Sequence, residues 1–408
     1  MRKSIVAVLA AGVALSLAAC GSTGAPATTP AAGPTTAAAT AGELTIWVDE
    51  TRIDVFKEIG TAFTASSGVA LDVVQKPNTD LKDDFIAQAP TGQGPDLMVG
   101  AHDWTGDLIK NGLIVPVELG DSVDGLAATA KAGFTNGGQL YGVPYAIENI
   151  GLVRNNAIVK DTPATFDEMV AQAKEAGAEF PVLIQQGEKG DAYHLYPVQT
   201  SFGAPVFTSN AAGEYTGELG MAGAEGEAFA TYLKKLADEG VLKDTIGGDQ
   251  AKQAFLDGKS PYMITGPWNS TAFTEAGLDI TVLPVPSAGG KPSAPFLGVQ
   301  GVFLSSKSEN ALLANQFLDY LANADTQNKL FELGGRTPAL EGAADGITDP
   351  ILKGFAEAGK DGQPMPAIPE MTAVWDFWGT TQISIINGQA TDPVAAWQQM
   401  NENIKAKF

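Results

Sequence analysis

The stretch LTIWVDETRIDVFKEIGTAFTASSGVALDVV, residues 44–74, decides the fold class. Leu44, Ile46 and Val48 alternate with Thr45 and Trp47, the two-residue period of a strand. Ile53, Phe56, Ile59 and Phe63 then recur at helical spacing up to Gly68, and Ala70 to Val74 reads as a second strand. Strand, helix and strand in succession point to an α/β domain.

The same alternation continues toward the C-terminus. Thr165 with Glu168 forms a capping box that opens a helix ending near Gly177. Phe229, Tyr232, Leu233 and Leu236 share one face of a helix stopped by Gly240. Leu313, Phe317, Tyr320 and Leu321 mark the buried face of another that starts after Ser308. No short-period repeat is present, which excludes solenoids and propellers. The folded body runs from Glu43 to Phe408. At about 366 residues it exceeds what one core usually holds, so two domains are expected.

Upstream of residue 43 the chemistry changes. Arg2 and Lys3 precede an apolar run from Ile5 to Leu17, too short to span a bilayer, and small residues follow. Residues 1–19 therefore read as a cleaved secretory signal. Leu17-Ala18-Ala19-Cys20-Gly21 resembles the lipobox of bacterial lipoproteins, which implies that Cys20 carries the lipid. Cys20 is the only cysteine, so no disulfide can form within the chain, and acylation would remove an otherwise free thiol. Two or more acyl chains anchor stably where one does not. Residues 21–42 contain only Gly, Ser, Thr, Ala and Pro, so residues 20–42 read as a lipidated tether without a fold of its own. The expected place is the outer face of the cytoplasmic membrane.

A net charge of -22 argues against nucleic acid and against lying flat on an anionic membrane. It serves solubility and suits a binder of neutral ligands.

Nine separated blocks follow one another in a familiar order. They begin with Ile46-Trp47-Val48-Asp49-Glu50-Thr51-Arg52, Gly94-Pro95-Asp96-Leu97-Met98 and Ala101-His102-Asp103. Tyr141 to Asn149, Asp257-Gly258-Lys259, Gly266-Pro267-Trp268 and Val282-Leu283-Pro284 come next. Gly334-Gly335-Arg336-Thr337-Pro338 and Met365 to Met371, leading to Trp375, complete the series. Any one is weak, since Gly-Pro-Trp or Gly-Pro-Asp alone is a common turn; together they resemble the maltose/maltodextrin-binding branch of the extracellular solute-binding lipoproteins of ABC importers. The resemblance implies an α/β, two-lobed periplasmic-binding-protein fold of type II with a ligand cleft between the lobes. It implies three crossings, near Ile147 to Asn149, Thr281 to Pro284 and Leu340 to Gly346. Residues 43–147 and 285–342 then form the N-terminal lobe, and residues 148–284 and 343–408 the C-terminal lobe. Hinge closure follows if the ligand touches both lobes.

A sugar presents hydroxyls along its ring edge and weakly polarised C–H groups on its face. Carboxylates and amides satisfy the first; flat aromatic rings cover the second. Of six tryptophans, Trp397 lies in an ordinary helical pattern and Trp47 on the alternating strand, so both are assigned to packing. Trp268 ends an apolar strand at a rigid Gly-Pro turn, and Trp375 and Trp378 stand three apart on a helix, where they can share a face. With Trp104 these are the ring candidates. Asp103 is either a helix N-cap or, by family position, an acceptor for a sugar hydroxyl. Glu148 interrupts an apolar stretch, so it must line a wet cleft or be ion-paired. Asp49, Glu50 and Arg52 follow the first strand, where open α/β sheets bind ligands. Arg52 can donate to vicinal hydroxyls while fixing a carboxylate. The resemblance adds Asp191 and Tyr193, and Met365 offers flexible apolar lining.

The chain departs from the family in two places. Better-known members carry a tryptophan before the Ala-His-Asp and an arginine after it, where Gly100 and Trp104 stand here. An aromatic residue and an arginine expected after Trp375 are Asp376 and Gly379. Maltose, a longer glucan, trehalose or another disaccharide therefore remain open as the ligand. A secreted glycoside hydrolase is the alternative from another class, and a sensor subunit a third. No motif pairs an acid with a nucleophile, however, and the lone His102 and His194 lack metal-site spacing and are assigned structural roles. No Gly-x-Ser-x-Gly or phosphate-binding loop occurs either. The expectation is a monomeric, non-enzymatic binder without cofactor or metal, serving an importer's permease.

Overall fold

In the computed structural model, residues 42–210 and 215–408 are described. The signal segment, Cys20 and most of the tether lie outside them. Within the described residues, two larger sheets organise the chain.

The first sheet has seven strands. Gly42–Val48 lies between Val69–Gln75 and Leu97–Ala101, parallel to both. Phe296–Leu304 pairs antiparallel with Leu97–Ala101 on one side and Gly142–Glu148 on the other. Thr337–Pro338 flanks Gly142–Glu148, and Gln363–Pro364 pairs with the beginning of Phe296–Leu304. The two-residue period separates the faces of the first strand. Leu44, Ile46 and Val48 pack with Phe56, Ile59, Phe63 and Phe317, while Trp47 joins Met98, Phe134 and Phe303 in a second cluster. The helix Ile53–Ser67 buries Phe56, Ile59 and Phe63 at the expected spacing. Gly68 ends it with φ 76°, donating its N–H to Thr64 O, a left-handed cap that glycine adopts without penalty.

The second sheet has three strands, with Gly151–Asn155 between Tyr262–Thr265 and Ile280–Leu283, all antiparallel. Thr165 caps Phe166–Glu175 by accepting the Glu168 N–H at 3.1 Å. The Glu168 carboxylate reaches back to the Ala164 N–H rather than to Thr165, one residue off the usual reciprocal pattern. Helices Phe166–Glu175, Ala224–Asp238, Glu370–Ile386 and Pro393–Lys405 contribute to one large core, in which Trp378 and Trp397 are completely buried.

The chain leaves the first sheet at Glu148 and enters the second at Gly151; it leaves the second at Leu283 and returns at Phe296. After Thr337–Pro338 it crosses once more, and the helix Pro350–Ala358 packs on Ile280–Leu283.

Candidate ligand cleft

A cleft of about 1170 Å³ is lined from both sheets. The first sheet supplies the loops beyond the C-terminal ends of Gly42–Val48, Leu97–Ala101 and Gly142–Glu148, the position where α/β sheets bind ligands. From the other side come His194 on the helix Ala192–Ser201, Trp268 in the single turn Pro267–Asn269 and Trp375 on the long helix Glu370–Ile386. Among the predicted site residues, Asp49, Glu50, Arg52, Asp103, Trp104, Glu148, Tyr193, Trp268, Met365 and Trp375 line it together.

One end is an ion network. Arg52 pairs with Asp49 through Nη1, donates from Nε to Tyr145 Oη at 2.8 Å and from Nη2 to Glu148 Oε1 at 3.3 Å. Arg336 donates from Nε to Glu148 Oε2 at 2.8 Å and from Nη2 to Thr51 Oγ1 at 2.8 Å. Gln300 Nε2 donates to Glu148 Oε1 at 2.9 Å. Both readings of Glu148 thus hold at once: it is ion-paired and it lines the cleft. Burial pushes the Asp49 carboxyl up, but Arg52, Thr51 and Arg336 outweigh it and hold the group below the usual range. Burial alone would lower the Arg52 guanidinium, yet Asp49, Tyr145 and Glu148 raise it well above the usual value.

The other end holds Asp103. Its Oδ2 accepts the Trp375 indole N–H at 3.0 Å, while its Oδ1 is buried without a partner. Burial raises its pKa above the usual carboxylate value, against the pull of His102, Lys82 and the Trp375 bond. A carboxylate oxygen so placed lacks a donor and has acceptor capacity unused. His102 beside it is structural, as expected from the sequence: Val299 N–H donates to its Nδ1 at 3.1 Å, so its Nε2 donates to Met365 O at 3.0 Å.

The rings rest on glycines. A Cβ on Gly100 would meet the Trp104 indole at 2.5 Å, and one on Gly266 would meet Trp268 at 2.0 Å. Gly100 therefore vacates the space that the Trp104 indole occupies. Trp268 stands edge-on to His194 with centroids 6.0 Å apart. Tyr193 lies nearly parallel to Phe296 at 6.4 Å, and burial followed by the nearby charges of Glu148, Asp191 and Asp103 pushes its phenol well up. Glu50 is exposed and accepts the Asn78 N–H at 3.0 Å. Met365 is buried against the cleft floor.

Two predicted residues lie elsewhere. Trp378 is sealed in the core and donates its indole N–H to Gln199 Oε1 at 2.9 Å. Three residues on a helix turn a side chain by about 60°, enough to move Trp378 inward while Trp375 stays at the cleft. Asp191 is the N-cap of Ala192–Ser201, accepting the His194 N–H at 3.0 Å, and sits behind the wall. Conversely, Arg336 and Gln300 line the cleft without having been singled out, and His194, assigned a structural role from the sequence, lines it as well. Arg336 lay inside a quoted block, and Gln300 is the polar interruption of an apolar strand; both signals were available.

Among the described residues no cluster of His, Cys, Asp and Glu could hold a metal ion, and no helix is long and apolar enough to cross a membrane.

The family described as "Bacterial extracellular solute-binding protein" matches residues 58–359. The chain is 28% identical to a galactooligosaccharide-binding protein of Bacillus subtilis (strain 168), over 100% of this chain and 97% of the relative. It is 28% identical to a maltooligosaccharide ABC transporter solute-binding lipoprotein of Streptococcus pneumoniae (strain ATCC BAA-255 / R6), over 90% of each. Among solved structures it is similar to the Thermus thermophilus maltotriose binding protein bound with maltotriose. That likeness has a TM-score of 0.81 and 31% identity, and covers 89% of this chain and 99% of the other.

Proposed function

Because the chain belongs to the bacterial extracellular solute-binding proteins, we propose that it captures a maltose- or maltodextrin-type oligosaccharide and delivers it to the permease of an ABC importer. The observation that carries this reading is the convergence of Trp104, Trp268 and Trp375 with Asp103 and Glu148 on one cleft lined from both sheets. A ring covering about 100 Å² of sugar face contributes ~2.5 kcal/mol by area burial. Each hydroxyl bond adds about 1 kcal/mol.

Residues 43–147 with 285–342 act as one lobe and residues 148–284 with 343–408 as the other, closing about the crossings between the sheets. If the closed form is about 1% populated alone, a ligand must prefer it roughly 100-fold merely to reach parity. Contacts on both walls supply that preference. Cys20 carries lipid after signal cleavage, holding the monomeric protein at the outer face of the cytoplasmic membrane. The protein binds without hydrolysing: both Glu148 oxygens are taken up by Arg52, Arg336 and Gln300, so this carboxylate is not free to pair with Asp103 across a glycosidic bond as a glycosidase requires.

The test is a tryptophan-fluorescence titration of the chain from residue 21 with maltotriose, maltose, trehalose and a galactooligosaccharide. Micromolar saturation by maltotriose is expected, about -8 kcal/mol, and should vanish when Trp268→Ala and Trp375→Ala are combined. Preference for the galactooligosaccharide would replace the ligand, and release of reducing sugar would replace the class.

A further inference from the structure

Among the described residues, only two that line the cleft bury a side-chain polar atom without a partner: Asp103 Oδ1 on the first-sheet side and His194 Nε2 on the other. His194 was read from sequence as structural, and half of its ring is. Its Nδ1 lies 2.9 Å from Asp191 Oδ1, an atom that also accepts the His194 backbone N–H at 3.0 Å. Asp191 Oδ2 accepts from Gln185 Nε2 at 2.6 Å. Burial raises the Asp191 carboxyl, but His194 and these bonds together hold it below the usual range, so it stays ionised and can only accept. A proton must therefore sit on His194 Nδ1, and in that tautomer Nε2 carries the lone pair and can accept. Tyr193 and Trp268 stand edge-on to the ring at 5.5 and 6.0 Å and fix its plane.

We infer that His194 Nε2 accepts a hydrogen bond from one hydroxyl of the bound sugar, with Asp191 as the positioning residue that sets its tautomer, and that it opposes Asp103 across the ligand. The inference rests on the carbohydrate reading and deepens it. Two facing acceptors select a ligand that offers donors on both sides, which a polyol or sugar does and a carboxylate-bearing solute does not. Shielding from bulk water leaves no solvent to compete for either atom, so an analogue lacking the matching hydroxyl is rejected.

Calorimetric titration of the wild-type and His194→Phe proteins with maltotriose and its single-deoxy analogues tests this. One analogue should bind wild type about tenfold more weakly than maltotriose, yet no more weakly than maltotriose to His194→Phe. Equal ratios in both proteins for every analogue would overturn the inference. A second measurement needs no variant: nitrogen NMR of the imidazoles, simple because the chain has two histidines with opposite tautomers. Saturating maltotriose should shift His194 Nε2 and leave His102 unchanged. Normal binding with an unmoved Nε2 overturns this inference alone, whereas a wild-type protein that answers no sugar overturns the carbohydrate reading with it.

Discussion

The Glu148 end of the cleft and the Asp103 end are each built around a buried carboxylate, and their surroundings are opposite. Glu148 receives three donors, from Arg52, Arg336 and Gln300. Asp103 receives one, from Trp375, and keeps an oxygen empty. A saturated carboxylate has little left to offer a ligand, so the Glu148 network serves mainly to fix the loops that frame the cleft. An unsatisfied one gains when a hydroxyl arrives. On the proposed reading, the difference separates residues that hold the site from residues that read the ligand, a distinction that lining the same space conceals.

Mutation should separate these ends most strongly in stability. Arg336→Met leaves part of a buried charge network uncompensated and should cost about 3–5 kcal/mol in urea unfolding. A loss below about 1 kcal/mol would mean that the network is solvated and dispensable. Asp103→Asn should do the reverse, weakening maltotriose by about 10- to 100-fold with no loss of folding stability. If Asp103→Asn lowers folding stability by several kcal/mol while the affinity of the folded protein survives, the two ends have been assigned the wrong way round.

The pH dependence sharpens the contrast further. The folded-state value of Asp103 is raised, so the stability it contributes is present below its unfolded value and is lost as pH rises through the folded one. Ligand hydroxyls favour the ionised form, so affinity should fall as pH drops through that same raised value, which calorimetry at stepped pH would record. Asp49 is shifted the other way, and its stabilising contribution is lost only as pH falls below the usual carboxylate range. The smallest effect belongs to Glu50, exposed on the rim: Glu50→Ala should change stability by no more than about 0.5 kcal/mol.

The sequence showed the fold through local periods: residues 44–74 alone carry strand, helix and strand, and Gly68 marks the helix end that the structure confirms. The positions lining the cleft were partly visible because carboxylates and tryptophans in loops after strands are hard to place elsewhere. What could not be read was satisfaction. Whether a carboxylate is full or empty depends on partners 188 residues away for Arg336 and 152 for Gln300. Trp378 was misplaced because spacing says that two rings are neighbours, while rotation about the helix decides which one meets the cleft. Asp191 was misplaced although the signal was present, since an aspartate one residue ahead of a helix is a common cap.

A crystal structure of the chain from residue 21 with maltotriose would test the division of labour most directly. It should show a sugar hydroxyl within hydrogen-bond distance of Asp103 Oδ1, rings of Trp268 and Trp375 against sugar faces, and the Arg52–Glu148–Arg336 contacts unchanged. Sugar bound with Asp103 Oδ1 still lacking a partner, or held instead by a dismantled Glu148 network, would contradict it.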